Sequence, residues 1–152
     1  MAENGFQTHI VCAARGGTRI QPSVNRAIQL GCEKQARLTF LYVVDVEFMK
    51  HTSMGRTAVV FDEMDKLGEF MMLRLCEYAN QQGCIRADYV IRNGQVRGEI
   101  VAYLHETRPN LVVLGRPRRD SQHAEPPAFE SEGLVRFAEE ITRTTGVPVE
   151  LV

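Results

Sequence analysis

Arginines follow two short apolar runs of the sequence, and their side chains are well suited to binding an anion. Arg15 comes directly after THIVCAA, and Arg116, Arg118 and Arg119 follow LVVLG at residues 111–115. Guanidinium groups form paired hydrogen bonds with phosphate and carboxylate groups. If both runs are strands that end at one edge of a sheet, these cations meet there. The set expected near that edge is Arg15, Arg19, Arg116, Arg118, Arg119 and Arg136.

The acidic residues of the same region leave a second interpretation open. Asp120, Glu125, Glu130 and Glu132 come soon after the arginines in sequence. The arginines would then be solvated loop residues that pair with these carboxylates. The sequence alone does not decide between an anion site and such a loop.

Residues for catalysis or for metal binding are not arranged in any recognisable pattern. The chain has no G-x-S-x-G motif and no cysteine beside an obvious base. His9, His51, His105 and His123 are scattered, without the spacing of metal ligands. We therefore expect a protein that is not an enzyme, with no catalytic residues and no metal site.

The composition is that of an ordinary globular domain. The chain has 152 residues, of which 44% are hydrophobic and 24% charged, and its net charge is −1. This length fits a single domain over residues 1–152. The near-zero charge gives no overall attraction to nucleic acid or to an anionic membrane. No signal peptide and no membrane-spanning apolar run is recognised, so we expect a cytoplasmic protein without membrane insertion.

The four cysteines show no C-x-x-C pair and no metal-finger spacing. They are Cys12, Cys32, Cys76 and Cys84. Buried thiols in a reducing compartment are the main interpretation. A disulfide between Cys76 and Cys84, or a redox role, is the alternative.

Strand and helix patterns alternate along the chain. Apolar, β-branched runs predict strands at 8–14, 37–46, 85–92, 111–115 and 147–152. Helical periodicity predicts helices from Pro22, from about Phe61, over 95–107, and through Leu134 to Ile141. Residues 47–60 have no clear period, and 116–132 predict a flexible surface loop. This alternation favours a parallel sheet with right-handed crossovers.

Three stretches, in this order and spacing, resemble the universal stress protein family. HIVCAARGGTRIQPSVNRAIQLGCEKQARLTFLYVV resembles the family's opening strand, helix and second strand. IRNGQVRGEIVAYLHETRPNLVVLGR is similar to its third-strand exit, helix and DLIVMGSRG strand, and FAEEITRTTGVPVELV to its closing helix and strand. The resemblance implies an open, Rossmann-like α/β fold with a parallel five-stranded sheet of order 3-2-1-4-5 and helices on both faces. Strands one and four then form a topological switch point, where ATP-binding members of the family hold their ligand.

The residues that the family uses for ATP are largely missing. Binding members carry an Asp at the end of strand one, and here that position is Ala14, or Arg15 if the register slips by one. Their glycine motif, G-x-x-G-(x)9-G-[S/T], retains Gly115 and at most Gly133. The candidate ligand or anion-binding residues are Ala14, Arg15, Val43, Gly115, Arg116, Arg118, Arg119, Gly133 and Arg136.

The resemblance implies a regulatory, stress-response module that acts by binding a protein partner, which the sequence does not identify. The missing motif residues predict that it does so without conventional ATP binding and with no cofactor. One alternative is a sensor of an adenine nucleotide (ATP or AMP) or of another anion, with the arginines as its site. A second alternative is an adenine-nucleotide α-hydrolase type of enzyme, which the faint likeness of ARGGT to a phosphate loop supports only weakly. A homodimer through Val147, Pro148, Val149 and Leu151 of the last strand is expected, the contrast being a monomer whose edge Glu150 shields.

Overall fold

Five strands and four helices alternate in the part of the chain that the structure describes. A computed structural model describes residues 8–15, 20–45, 57–84, 86–116 and 127–152, with the side chains of 57–61 and 127–132 left aside. The strands are β1 (His9–Ala13), β2 (Arg37–Asp45), β3 (Ala87–Gly94), β4 (Leu111–Leu114) and β5 (Val149–Leu151). The helices are α1 (Pro22–Lys34), α2 (Thr57–Gln81), α3 (Val96–Thr107) and α4 (Pro127–Thr145).

The strands form one parallel sheet in the order β3-β2-β1-β4-β5, which confirms the predicted order 3-2-1-4-5. In the register, Ala13 of β1 lies opposite Leu41 of β2 and Leu114 of β4. β1, β2 and β4 are nearly continuous apolar runs because helices cover the sheet on both sides.

The two faces of the sheet have separate cores, as the predicted helices on both faces require. Phe40, Met72 and Ile28 belong to the core under α1 and α2. Leu104, Ile141 and Val112 belong to the core under α3 and α4. Alternating residues of each strand therefore face different helices.

Two helices begin earlier than the sequence pattern predicts. α2 begins at Thr57 rather than near Phe61, so the irregular connection over 47–60 is shorter than expected. α4 begins at Pro127, which shortens the loop predicted over 116–132. Proline is favoured in a first helical turn because its φ is already helical and its missing N–H is not needed there. Residues 46–56 and 117–126 lie outside the described residues.

A hydrogen-bonded polar network lies at the amino ends of the strands. The Thr39 hydroxyl, which is fully buried, donates to an Asp88 carboxylate oxygen at 2.5 Å, and the His9 ring Nε2 lies 2.8 Å from the same hydroxyl. Because this hydroxyl gives its proton to Asp88, His9 must donate through Nε2. Arg37 donates to the other Asp88 oxygen from Nε and from its terminal nitrogen. The network links β1, β2 and β3 at the end of the sheet opposite the strand exits.

Candidate functional site

The switch point lies between β1 and β4. α1 follows β1 and packs on one face of the sheet, whereas α4 follows β4 and packs on the other. Connections that leave neighbouring strands in opposite directions open a crevice beyond the carboxyl ends of those strands. Residues Ala14–Arg15 and Gly115–Arg116 lie at this crevice, as predicted.

Arg15, not Ala14, provides the side chain at the exit of β1. Ala14 is 8% exposed and packs in the core beneath α1, while its amide nitrogen continues the pairing to the Leu41 carbonyl. The Arg15 guanidinium crosses from β1 to β4 and donates to the Gly115 carbonyl at 3.3 Å. Gln21 donates from its side-chain amide to the Arg15 carbonyl, also at 3.3 Å. The crevice therefore has an exposed cation at the position where the family resemblance implies a carboxylate.

Gly115 permits a close approach between the exit of β4 and the first turn of α1. A Cβ at residue 115 would lie 2.9 Å from the Ser23 hydroxyl oxygen and 3.3 Å from its Cβ. Ser23 is 1% exposed. Its hydroxyl makes no hydrogen bond of good geometry with the described residues, but it lies beside the Cys12 thiol, whose pKa it lowers against the larger effect of burial. The Ser23 hydroxyl therefore packs between the exit of β4 and the core, closed to solvent.

Arg116 uses its backbone to hold the last residue of the sequence. Its amide donates to the Val152 carbonyl at 2.8 Å, and the Val152 amide donates to the Leu114 carbonyl at 3.0 Å. This amide is therefore not available to a phosphate. The Arg116 side chain is exposed, and neither Arg15 nor Arg116 pairs with a carboxylate of the described residues.

The other predicted residues are only partly brought together. Val43 packs against the core under α3 and α4, on the opposite face of the sheet from Ala14. Gly133 lies on α4 against α3, where a Cβ would be 3.4 Å from an Arg97 terminal nitrogen. Arg136 is an exposed residue of α4. Arg118 and Arg119, like Arg19, lie outside the described residues, as do Asp120 and Glu125. Glu130 and Glu132 belong to α4, but their side chains are among those left aside.

Two residues that follow the carboxyl ends of strands were not among the sequence-based candidates. Ser23 follows Pro22 in the first turn after β1, and that position was the available signal. Arg97 lies in the first turn of α3 with its guanidinium 5.3 Å from the centre of the Phe137 ring, a cation–π contact between α3 and α4. Its signal was its position just after the third strand.

The C-terminal strand lies at one edge of the sheet. The Pro148 carbonyl and both Val152 backbone groups bond toward β4, so the strand alternation turns those of Val149 and Leu151 outward. Val147 is only 2% exposed and belongs to the core, because the chain turns inward after Gly146. Of the four residues predicted for an interface, Pro148, Val149 and Leu151 therefore keep accessible surface.

Glu150 is held on the α1 side of the sheet. Arg26 of α1 donates to both of its carboxylate oxygens, at 2.8 and 3.2 Å. The Glu150 side chain is therefore tied to α1, which weakens the interpretation in which Glu150 shields the outer edge of β5.

Among the residues described, no three His, Cys, Asp or Glu side chains are grouped in a way that could hold a metal ion. No described helix is long and apolar enough to cross a bilayer.

These features define an α/β protein of the Rossmann-like class, with a topological switch point between β1 and β4. The model of the universal stress protein family matches residues 8–123. Because this match covers more than half of the sequence, the chain belongs to the universal stress protein family. A search of curated protein sequences found no match.

Solved structures share this fold at low sequence identity. The universal stress protein UspA from Lactobacillus plantarum has a TM-score of 0.72 and 18% identity, over 95% of this chain and 97% of that one. A family member from Burkholderia pseudomallei has a TM-score of 0.67 and 16% identity, over 95% of both chains. The Archaeoglobus fulgidus universal stress protein solved in complex with dAMP has a TM-score of 0.57 and 13% identity, over 96% and 97%.

Proposed function

We propose that this universal stress protein acts by binding rather than by turnover, as a regulatory module whose crevice does not hold ATP in the manner usual for the family. The observation that carries the proposal is the Arg15 guanidinium, which crosses the crevice and donates to the Gly115 carbonyl. A carboxylate accepts hydrogen bonds, whereas a guanidinium can only donate them. Arg15 therefore cannot replace the Asp that ATP-binding members carry.

The backbone beside Arg15 supports the same conclusion. ATP-binding members approach the phosphates with backbone amides of a glycine-rich stretch, but the Arg116 amide is bonded to Val152 here. The first of those glycines, Gly115, has its carbonyl bonded to Arg15. In the described part of the crevice, the Gly115 carbonyl and the Arg116 amide are thus already hydrogen-bonded within the protein.

A second candidate is a sensor of a nucleoside monophosphate or another small anion. The exposed side chains of Arg15 and Arg116 follow the ends of the neighbouring strands β1 and β4, and neither pairs with a carboxylate of the described residues. An anion that accepts from Arg15 could replace the 3.3 Å bond to the Gly115 carbonyl, since charge-assisted bonds to phosphate are stronger. The complex of the A. fulgidus relative with dAMP supports this class of ligand.

Thermal stability in the presence of ligands separates the two candidates. The wild type, Arg15→Asp and the exposed α4 control Arg143→Ala would be heated with ATP, AMP, inorganic phosphate or citrate. The proposal predicts that ATP does not stabilise the wild type. The control Arg143→Ala should respond to each ligand as the wild type does. A ligand at one hundred times its dissociation constant would stabilise by about 2.7 kcal/mol. Stabilisation of the wild type by AMP or phosphate, lost in Arg15→Asp, would select the sensor.

The protein's assembly and location belong to the same proposal. The outward backbone groups of Val149 and Leu151 fit pairing with a second copy about a two-fold axis, giving a homodimer through β5. All four cysteines are free, which fits action in the reducing cytoplasm.

A further inference from the structure

A pair of cysteines meets at the end of α1 opposite Ser23, away from the crevice. Cys32 lies in the last turn of α1, and Cys84 follows the end of α2. Their sulfur atoms are 2.8 Å apart, although both thiols are free. The partner of Cys84 is thus Cys32, not Cys76 as one interpretation of the sequence had it.

Each cysteine is preceded by a glycine, and the glycine before Cys32 leaves room for the Cys84 sulfur. A Cβ at Gly31 would lie 3.3 Å from the Cys84 sulfur, and a Cβ at Gly83 would lie 3.8 Å from the Cys32 sulfur. Gly83 also has a φ of +110°, which side chains rarely adopt. The same Gly-Cys dipeptide on both elements therefore allows α1 and the turn after α2 to approach until the thiols meet.

We propose that Cys32 and Cys84 form a reversible disulfide when the protein reacts with a hydroperoxide. The two sulfurs would have to move less than 1 Å to reach the bonded distance of about 2.05 Å. Cys32 is partly exposed, whereas Cys84 is 4% exposed, so a small oxidant reaches Cys32 first. This exposure favours a hydroperoxide over a bulky disulfide such as oxidised glutathione.

The reaction has two balanced steps. The Cys32 thiolate attacks the peroxide, the O–O bond breaks, an alcohol or water leaves with one added proton, and Cys32 becomes a sulfenic acid. The Cys84 sulfur then attacks Cys32, the S–O bond breaks, and hydroxide leaves as water with the Cys84 proton. Overall, two thiols are oxidised and one peroxide is reduced. One molecule of a dithiol, which is itself oxidised to a disulfide, then restores both thiols.

Cys84 is a very weak acid in the reduced protein. Burial first, and then the hydrogen bond with Cys32 and the charge of Cys32, raise the pKa of Cys84 to about 12. The more exposed Cys32 is therefore the thiol that meets the peroxide first. The other two thiols provide internal references, because burial raises the pKa of Cys12 to about 12 and, together with the charge of Asp88, that of Cys76 to about 11.

The test uses the full chain, first reduced with dithiothreitol and then exposed to hydrogen peroxide. Free thiols would be alkylated, and the cross-linked peptides mapped by mass spectrometry. We expect one intramolecular Cys32–Cys84 bond, with Cys12 and Cys76 still alkylated. The melting temperature should rise on the order of 10 °C and return after reduction, since a disulfide restrains the unfolded chain.

Variants identify the order of the steps. Cys84→Ser should stop at a sulfenic acid on Cys32 that dimedone traps, and Cys32→Ser should lose the cross-link. The matched control Cys76→Ser should behave as the wild type does. The proposal is overturned if peroxide takes Cys32 to sulfinic acid without a bond to Cys84, or if only intermolecular disulfides form. Peptide mapping of the wild type decides this even if a variant fails to fold.

Discussion

The Ser23 hydroxyl packs against the backbone of Gly115 so closely that a Cβ on residue 115 would lie 2.9 Å from the hydroxyl oxygen. Ser23 lies in the first turn of α1 and Gly115 directly follows β4, so this contact sets the distance between the helix and the strand exit at the crevice. Because Ser23 is 1% exposed, it cannot turn into solvent to relieve an added Cβ.

Gly115→Ala should therefore destabilise the protein by about 1–3 kcal/mol, the usual cost of overpacking a close contact. Chemical denaturation would measure the free energy of unfolding. Gly98→Ala is the matched control, because a Cβ there would meet the Gln95 side chain at an ordinary 3.4 Å and α3 would gain a better helix former. Equal stability of Gly115→Ala and the wild type would show that the contact at the crevice is loose.

His9 should make the stability of the protein depend on pH. Burial first, and then the charge of Arg37, lower its pKa below 6.5, while Asp88 opposes them. The folded state thus favours neutral His9, and its contribution to stability is complete above pH 6.5. That contribution should be lost as the pH falls from 6.5 through the lower pKa of the folded state.

Urea denaturation of the wild type and of His9→Asn across this pH range would test this expectation. The difference between their unfolding free energies should shrink as the pH falls, because only the wild type takes up the extra proton on unfolding. A difference that is constant or grows toward low pH would contradict the assigned direction of the pKa shift.

Val149→Pro should separate dimerisation from folding. The Val149 amide points outward from β5, so proline at this position removes a donor for a second copy but none of the bonds to β4. We expect a folded monomer by light scattering and circular dichroism. Glu150→Pro is the contrasting variant, since its amide faces β4 and its loss should destabilise the fold. A dimeric Val149→Pro would rule out pairing through this edge.

The sheet order was predictable because its evidence is distributed over the whole chain. Alternating buried strands and amphipathic helices require parallel pairing, and the family resemblance supplied the strand order. The starts of α2 at Thr57 and α4 at Pro127 were missed because residues 57–60 and 127–132 have no clear apolar period in the sequence.

The strand exits that frame the candidate site could be predicted from the sequence, whereas the placement of the side chains there could not. A shift of one residue sends a strand side chain to the other face, so the sequence could not decide between Ala14 and Arg15. The structure buries Ala14 and brings Arg15 to Gly115. The contact of Cys32 with Cys84 joins residues far apart in sequence, and only the packing of α1 beside α2 reveals it.

The most direct test of the central claim is to denature the freshly purified protein and analyse the released small molecules by mass spectrometry. Because Arg15 cannot replace the family's Asp and the Arg116 amide is already bonded to Val152, we expect no ATP in the supernatant. Stoichiometric ATP would contradict the account and would mean that Arg15 releases the Gly115 carbonyl to contact the nucleotide.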